Sequence, residues 1–121
     1  MEKIENILSA LSKIRLNRMD EESFIHKEIQ RALTIEEIKY VHEYKLIPHK
    51  RFDFWIDGIV LEVKKRVPGK LALLKQLDKY TKSDEVKAII IVLEKSIDLP
   101  KTLNDKPLIV FSLNANWGVA V

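Results

Sequence analysis

KRFDFWIDGIVLEVKK, residues 50–65, carries the strongest structural signal in the chain. Two alternating runs meet at Asp57-Gly58, and an Asp-Gly pair between such runs is a strong short-range signal for a tight β-hairpin. With these two residues as the loop, Ile56 faces Ile59. The sequence therefore predicts a hairpin of known register.

Counting outward from this turn places the carboxylates of Asp53 and Glu62 opposite each other. Opposed side chains have Cβ atoms about 4.5–5.5 Å apart, and two carboxylates about 5 Å apart repel by about 3 kcal/mol at an effective dielectric constant of about 20. We therefore expect a positive group between them. Lys64 lies on the same predicted face, and a divalent ion with oxygen ligands would complete the neutralisation.

The other face of the predicted hairpin is apolar. It carries Phe52, Phe54, Ile56, Ile59, Leu61 and Val63. Trp55 and Val60 share the face of the acids, which indicates a covering element there and places the acids at the margin of a buried layer. The alternative is a solvated edge hairpin whose Glu-Lys pair contributes little energy.

Length and composition indicate one intracellular globular domain spanning residues 1–121. The chain has 46% apolar and 32% charged residues, with neither a secretory signal nor an apolar run of transmembrane length, so no membrane partner is expected. Zero cysteines exclude disulfides, zinc thiolate sites and thiol catalysis, leaving oxygen-ligated metals as cofactors. The net charge of +3 permits a polyanionic partner.

The remaining patterns predict helices and strands on both sides of the hairpin. The predicted helices are 2–16, from Asp20 to about Leu33, and 70–82; the predicted strands are 38–46, 86–93, 107–113 and 117–121. The first helix could pack on its own domain or on a second copy in a homodimer. We expect an α/β fold with helices on both faces of a mixed sheet.

Two of these elements have predicted faces. Strand 38–46 is expected to place one alternating set on one side, namely Ile38, Tyr40, His42 and Tyr44. Helix 70–82 is expected to bury Leu71, Leu74, Leu77 and Tyr80.

The second helix carries candidate site residues. On a helical wheel Glu22 and His26 point toward the apolar side, whereas Glu28 leans away. A carboxylate on the inward stripe needs a partner. A third carboxylate beside the metal and a capping-turn acid next to a core histidine both fit this pattern.

The αβββαβ order with this hairpin on its second and third strands resembles the PD-(D/E)xK nuclease superfamily. The resemblance spans about residues 20–93, between an N-terminal helix (1–16) and C-terminal strands (107–121), and implies a restriction-endonuclease-like α/β/α sandwich with a central mixed β-sheet. It implies that Asp53 and Glu62, with the carbonyl of Val63, hold Mg2+, for which Mn2+ can substitute, and that Lys64 positions the attacking water. A helix glutamate, Glu22 or less well Glu28, would join them.

Gln76 and Tyr80 are similar to the Q-x-x-x-Y signature of RecB-like members, and His26 resembles their helix histidine beside the metal. The short chain also resembles stand-alone nucleases of phages and mobile elements, and Holliday junction resolvases share the fold. The implied activity is hydrolysis of DNA phosphodiester bonds; RNA cleavage and a catalytically inactive nucleic-acid-binding module stay open. The expected nucleic-acid contacts are Arg51, Lys65, Arg66, Lys70, Gln76 and Tyr80.

Overall fold

The computed structural model describes residues 2–15, 21–47, 50–66 and 69–113. In chain order its elements are α1 (Glu2–Ser12), α2 (Glu22–Ile35), β1 (Val41–Ile47), β2 (Lys50–Ile56), β3 (Ile59–Lys64), α3 (Lys70–Thr81), β4 (Ala88–Leu93), β5 (Thr102–Leu103) and β6 (Lys106–Ser112). This confirms the predicted order and adds the short strand β5. The predicted strand 117–121 and the predicted N-cap Asp20 lie outside the described residues, and Glu21 occupies the N-cap position of α2.

The protein has an α/β fold with a six-stranded mixed sheet in the order β1-β2-β3-β4-β6-β5. Strands β1, β2 and β3 are antiparallel, β4 is parallel to both β3 and β6, and β5 is antiparallel to β6. Every residue of β4 is buried, as its continuous apolar run predicts for a strand covered on both faces. Within the described ranges, no helix is long and apolar enough to cross a membrane.

Two hydrophobic cores lie on opposite faces of the sheet, which confirms the prediction of helices on both sides. The first core joins α1 and α2 to the sheet and includes Ile7, Leu11, Ile29, Leu33, Phe54 and Leu61. The second core joins α3 to the sheet and includes Phe52, Val60, Leu73, Leu77, Tyr80 and Ile91. Helix α1 therefore packs on its own chain.

The buried stripe of α3 differs from the predicted one. Leu71 is 68% exposed, whereas Leu73 is buried with Leu77 and Tyr80. Leu71 and Leu73 each begin a helical stripe that continues to Leu77, so periodicity alone does not separate them. The face that also buries Tyr80 against the sheet is the one selected.

The alternation of side chains reverses within both β1 and β2 at the same level of the sheet. His42 pairs with Phe54 and their rings lie 4.8 Å apart on the first-core side, whereas Tyr44 pairs with Phe52 and both pack in the second core. Between these two rungs Glu43 has a φ of 57°, a left-handed backbone that turns the strand over. The predictions that Tyr44 shares the side of His42 and that Phe52 shares the face of Phe54 are therefore wrong.

Candidate metal centre

The β2–β3 hairpin has the predicted register at its turn. Ile56 pairs with Ile59, and the ladder continues through Trp55–Val60 to Phe54–Leu61. Asp57 and Gly58 both have positive φ, of 50° and 92°, which is the backbone of a type I′ turn. Local turn chemistry therefore positions the two strands that carry the acids.

At the next rung, side-chain carboxylates accept the hydrogen bonds of backbone N–H groups in the facing strand. The Asp53 N–H donates to Glu62 Oε1 at 2.9 Å, and the Val63 N–H donates to Asp53 Oδ2 at 2.8 Å. Each acid is thus anchored to the backbone of the opposite strand. The sequence predicted that the two acids meet here, and these bonds hold them in place. The backbone of Val63, expected to ligate through its carbonyl, lies against Asp53 through its N–H.

Helix α2 contributes two further side chains. Among the residues that the structure describes, Glu22, His26 and Asp53 form a group whose potential ligand atoms all lie within 4.8 Å of one another. His26 Nε2 lies 3.8 Å from Asp53 Oδ2. These residues line an open cleft of about 430 Å³, together with His42, Glu43 and Arg51.

Glu28, the other candidate on α2, is directed elsewhere. Its Oε1 lies 3.5 Å from Nη1 of Arg31, one turn further along the helix. Glu22 is therefore the helix carboxylate that accompanies Asp53.

The donor set fits a divalent cation. Two carboxylates supply the hard oxygen ligands that Mg2+ and Mn2+ prefer, and an imidazole is a common ligand of transition metals. The exposed Glu22 and the half-buried His26 and Asp53 border the open cleft, so an ion and water can reach them.

Glu62 lies deeper than the other acids, with only 3% of its surface exposed. Burial first, and then the neighbouring charge of Asp53, raise the pKa of its carboxyl to about 8, although the N–H of Asp53 and the charge of Lys64 oppose the shift. At neutral pH this carboxyl therefore keeps its proton when no cation is bound. A cation beside it would favour the ionised form.

Gln76 and Tyr80 lie on the α3 side of the acids. The Gln76 side-chain amide donates to the Tyr80 hydroxyl at 2.8 Å, and the Tyr80 ring packs edge-on against Phe52 with centroids 4.7 Å apart. Burial, followed by the charge of Glu62, raises the pKa of Tyr80 to about 12. The tyrosine is therefore a neutral member of the second core, and its contact with nucleic acid stays a prediction.

Two of the predicted basic residues lie close to the acids: Arg51 at the cleft and Lys64 beside Glu62. Arg51 borders the cleft, and its Nη2 lies 3.8 Å from Oε2 of Glu43. Lys64 and Lys65 are half-buried at the end of β3, whereas Arg66 and Lys70 are exposed. Arg51 and Lys64 thus lie close to the carboxylates, and the role of all these basic residues toward nucleic acid stays a prediction.

Sequence reasoning missed His42. Its Nε2 lies 2.9 Å from Nδ1 of His26, and the ring of Phe54 contacts both imidazoles. The available signal was a histidine on the same predicted side of strand 38–46 as Ile38 and Tyr40, close in sequence to the acid strand.

Comparison of the chain with models of protein families, with curated proteins and with solved structures finds no match. The function of this site is therefore inferred from its own geometry.

Proposed function

We propose that this chain is a metal-dependent deoxyribonuclease of restriction-endonuclease-like fold. The observation that carries the proposal is the convergence of Glu22 and His26 on Asp53, at the hairpin rung where Glu62 precedes Lys64 by two residues. The strand acid and the Glu-x-Lys triplet were predicted from the sequence, and a helix acid now lies within reach of the same ion.

Asp53 and Glu22 hold the cation in this proposal, and His26 adds a nitrogen ligand. When bound, a divalent ion supplies positive charge to the scissile phosphate and makes water a stronger nucleophile at neutral pH. The two backbone N–H bonds to Asp53 and Glu62 prevent the carboxylates from swinging away, so the geometry is fixed before substrate arrives.

Lys64 orients water or phosphate in this proposal. It follows Glu62 on β3, and its charge is close enough to oppose the raised pKa of that carboxyl. The ammonium group donates hydrogen bonds but accepts none, which suits an anionic phosphate oxygen or the lone pair of a water.

The backbone of DNA is the target in this proposal because Arg51 lines the cleft and the basic residues Lys65, Arg66 and Lys70 follow the strand that carries Glu62 and Lys64. Arg51, Arg66 and Lys70 are all exposed. Contacts to phosphates fix the position of a duplex without reading bases, so binding should weaken steeply with salt and depend little on sequence.

The proposal is tested with labelled duplex, single-stranded, branched and flapped DNA, and with RNA, in Mg2+ or Mn2+. We expect cleavage of at least one DNA substrate by the wild type. Lys64→Ala should lose cleavage while retaining DNA binding, and Lys39→Ala is the matched control because Lys39 lines a different cleft near the turn. A wild type that binds DNA but cleaves none of these substrates would instead be a nucleic-acid-binding module, and selective cleavage of branched DNA would indicate junction resolution.

A further inference from the structure

His26 and His42 come from different elements and meet through their ring nitrogens. The distance between His26 Nδ1 and His42 Nε2 is 2.9 Å, while the other nitrogen of His26 faces Asp53. In a hydrogen bond between two neutral imidazoles, one nitrogen carries the proton and the other accepts with its lone pair. Two arrangements of the pair therefore exist.

Metal binding selects between these arrangements. A metal bound at Nε2 of His26 requires the lone pair of that nitrogen, so the proton of the neutral ring must sit on Nδ1. That N–H then donates to Nε2 of His42, which keeps its own proton on Nδ1.

We propose that His42 is a positioning residue that fixes the tautomer and orientation of His26 for metal binding. The inference rests on the proposed metal site and assigns a role within it to a residue on β1. The acceptor nitrogen of His42 increases the electron density on the His26 ring and holds Nε2 toward Asp53. Loss of such an outer partner typically lowers metal affinity by about 10- to 100-fold.

Packing supports this role. The ring centroid of Phe54 lies 5.4 Å from that of His26 and 4.8 Å from that of His42, so one aromatic side chain limits the rotation of both. His42 also lines the same cleft as Glu22 and Asp53.

A direct ligand role fits His42 less well. Within the described part of the chain, the group of side chains close enough to share an ion is Glu22, His26 and Asp53. The nitrogen of His42 that points toward this group is already bonded to His26. Its effect on the metal therefore passes through His26.

Calorimetric titration with Mn2+ tests the inference. We expect His42→Phe to weaken binding by about 10- to 100-fold, because phenylalanine fills the space without an acceptor. His42→Gln should recover most of the affinity, because its side-chain carbonyl can accept the bond. Tyr40→Phe is the matched control: it removes a bond to Gln30 just before β1 and should leave the affinity unchanged.

Equal Mn2+ affinity of wild type and His42→Phe would overturn the inference. A second measurement needs no variant: nitrogen–proton correlation spectra of the rings, recorded with diamagnetic Zn2+, should show the proton of His26 on Nδ1. The chain has only three histidines, so these signals can be assigned. A proton-free Nδ1 on His26 in the loaded protein would equally overturn it.

These outcomes separate the inference from the proposed nuclease. A wild type that takes up neither Mn2+ nor Zn2+ contradicts both. A wild type that binds metal but cleaves no DNA contradicts the nuclease alone, because the titrations still measure what His42 contributes to the ion.

Discussion

The two ends of the β2–β3 hairpin are built in opposite ways. At the turn, regular pairing continues to Ile56–Ile59, and the side chain of Asp57 forms an exposed ion pair with Lys3 at 2.6 Å. At the open end regular pairing ends at Phe54–Leu61, and partly or fully buried carboxylates accept hydrogen bonds from the backbone N–H groups of the facing strand.

This difference separates the part of the hairpin that fixes its register from the part that holds the candidate site. Turn residues with positive φ fix the register at one end, and exposed ion pairs there contribute little stability. At the other end, backbone groups that normally bond each other hold Asp53 and Glu62 instead. At the open end, regular pairing is therefore interrupted, and the carboxylates are held in place beside α2.

The largest expected effect is on DNA cleavage, and it comes from making the same Asp→Asn substitution at each end of the hairpin. If the proposed function holds, Asp53→Asn should lower DNA cleavage by at least about 100-fold, because it removes a charged ligand of the proposed metal site. Its amide oxygen can still accept from Val63, so the fold should persist. Asp57→Asn, in the turn of the same hairpin, should cleave at the wild-type rate. Gel-based rates with Mn2+ and melting curves measure both, and equal losses would contradict the division of roles.

The next effect concerns pH, because the pKa of Glu62 is raised by burial and by Asp53 to about 8. Between its unfolded pKa and about 8, the folded protein keeps a proton that the unfolded chain has lost. Stability without metal should therefore fall as pH rises through this window, by up to about 1.4 kcal/mol per unit, and level off above it. Glu62→Gln should lose this slope in urea unfolding series with a chelator present.

The contribution of Asp57 to folding stability should depend on pH in the opposite direction. Its hydrogen bond to Lys3 lowers its pKa in the fold, so its contribution is present near neutral pH and is lost only as pH falls below the ordinary titration range of an aspartate. For the Glu62 prediction, the contrary result would be a slope of stability against pH that Glu62→Gln leaves unchanged across the neutral range. That result would show that another group holds the proton.

A smaller effect is expected at the turn itself. Gly58→Ala should destabilise the fold by about 1–2 kcal/mol, because φ is +92° and the added Cβ would lie 3.3 Å from the carbonyl oxygen of Glu85. Gly69→Ala is the matched control, since nothing lies within 4 Å of the added carbon. Chemical unfolding measures both, and the metal affinity of Gly58→Ala should match the wild type. Similar losses for the two variants would contradict the role of the turn.

The sequence was informative where structure depends on neighbouring residues. Asp57-Gly58 fixed the hairpin register because both positions need positive φ, and that requirement is local. The wheel of α2 placed Glu22 and His26 on the same side because helix geometry sets their directions. The apolar run of β4 likewise predicted a strand covered on both faces.

The predictions failed where the orientation of a side chain depends on contacts between different secondary-structure elements. The reversal at Glu43 and the contact of His42 with His26 depend on how β1 lies against both β2 and α2, and simple alternation assumes an unbroken strand. The exchange of Leu71 for Leu73 has the same origin, because the sheet selects between two equally periodic stripes.

The smallest expected effect tests whether β1 requires a left-handed backbone at the position where its side-chain alternation reverses. Glu43 has a φ of 57° and lies 3.8 Å from the guanidinium of Arg51, an exposed pair of little energetic value. Asparagine tolerates this backbone better than glutamate, so Glu43→Asn should stabilise the protein by about 0.5 kcal/mol.

Lys45→Asn on the same strand provides the matched control for this substitution. Lys45 is exposed and is not among the described residues with positive φ, so asparagine, a poor strand former, should destabilise the protein there by about 0.5 kcal/mol. Urea unfolding midpoints compare the two directly. Opposite signs would show that β1 requires a left-handed residue where it passes the open end of the hairpin. Equal destabilisation by the two variants would mean that the left-handed backbone at residue 43 does not favour asparagine. The change of side between His42 and Tyr44 would then need a cause outside β1.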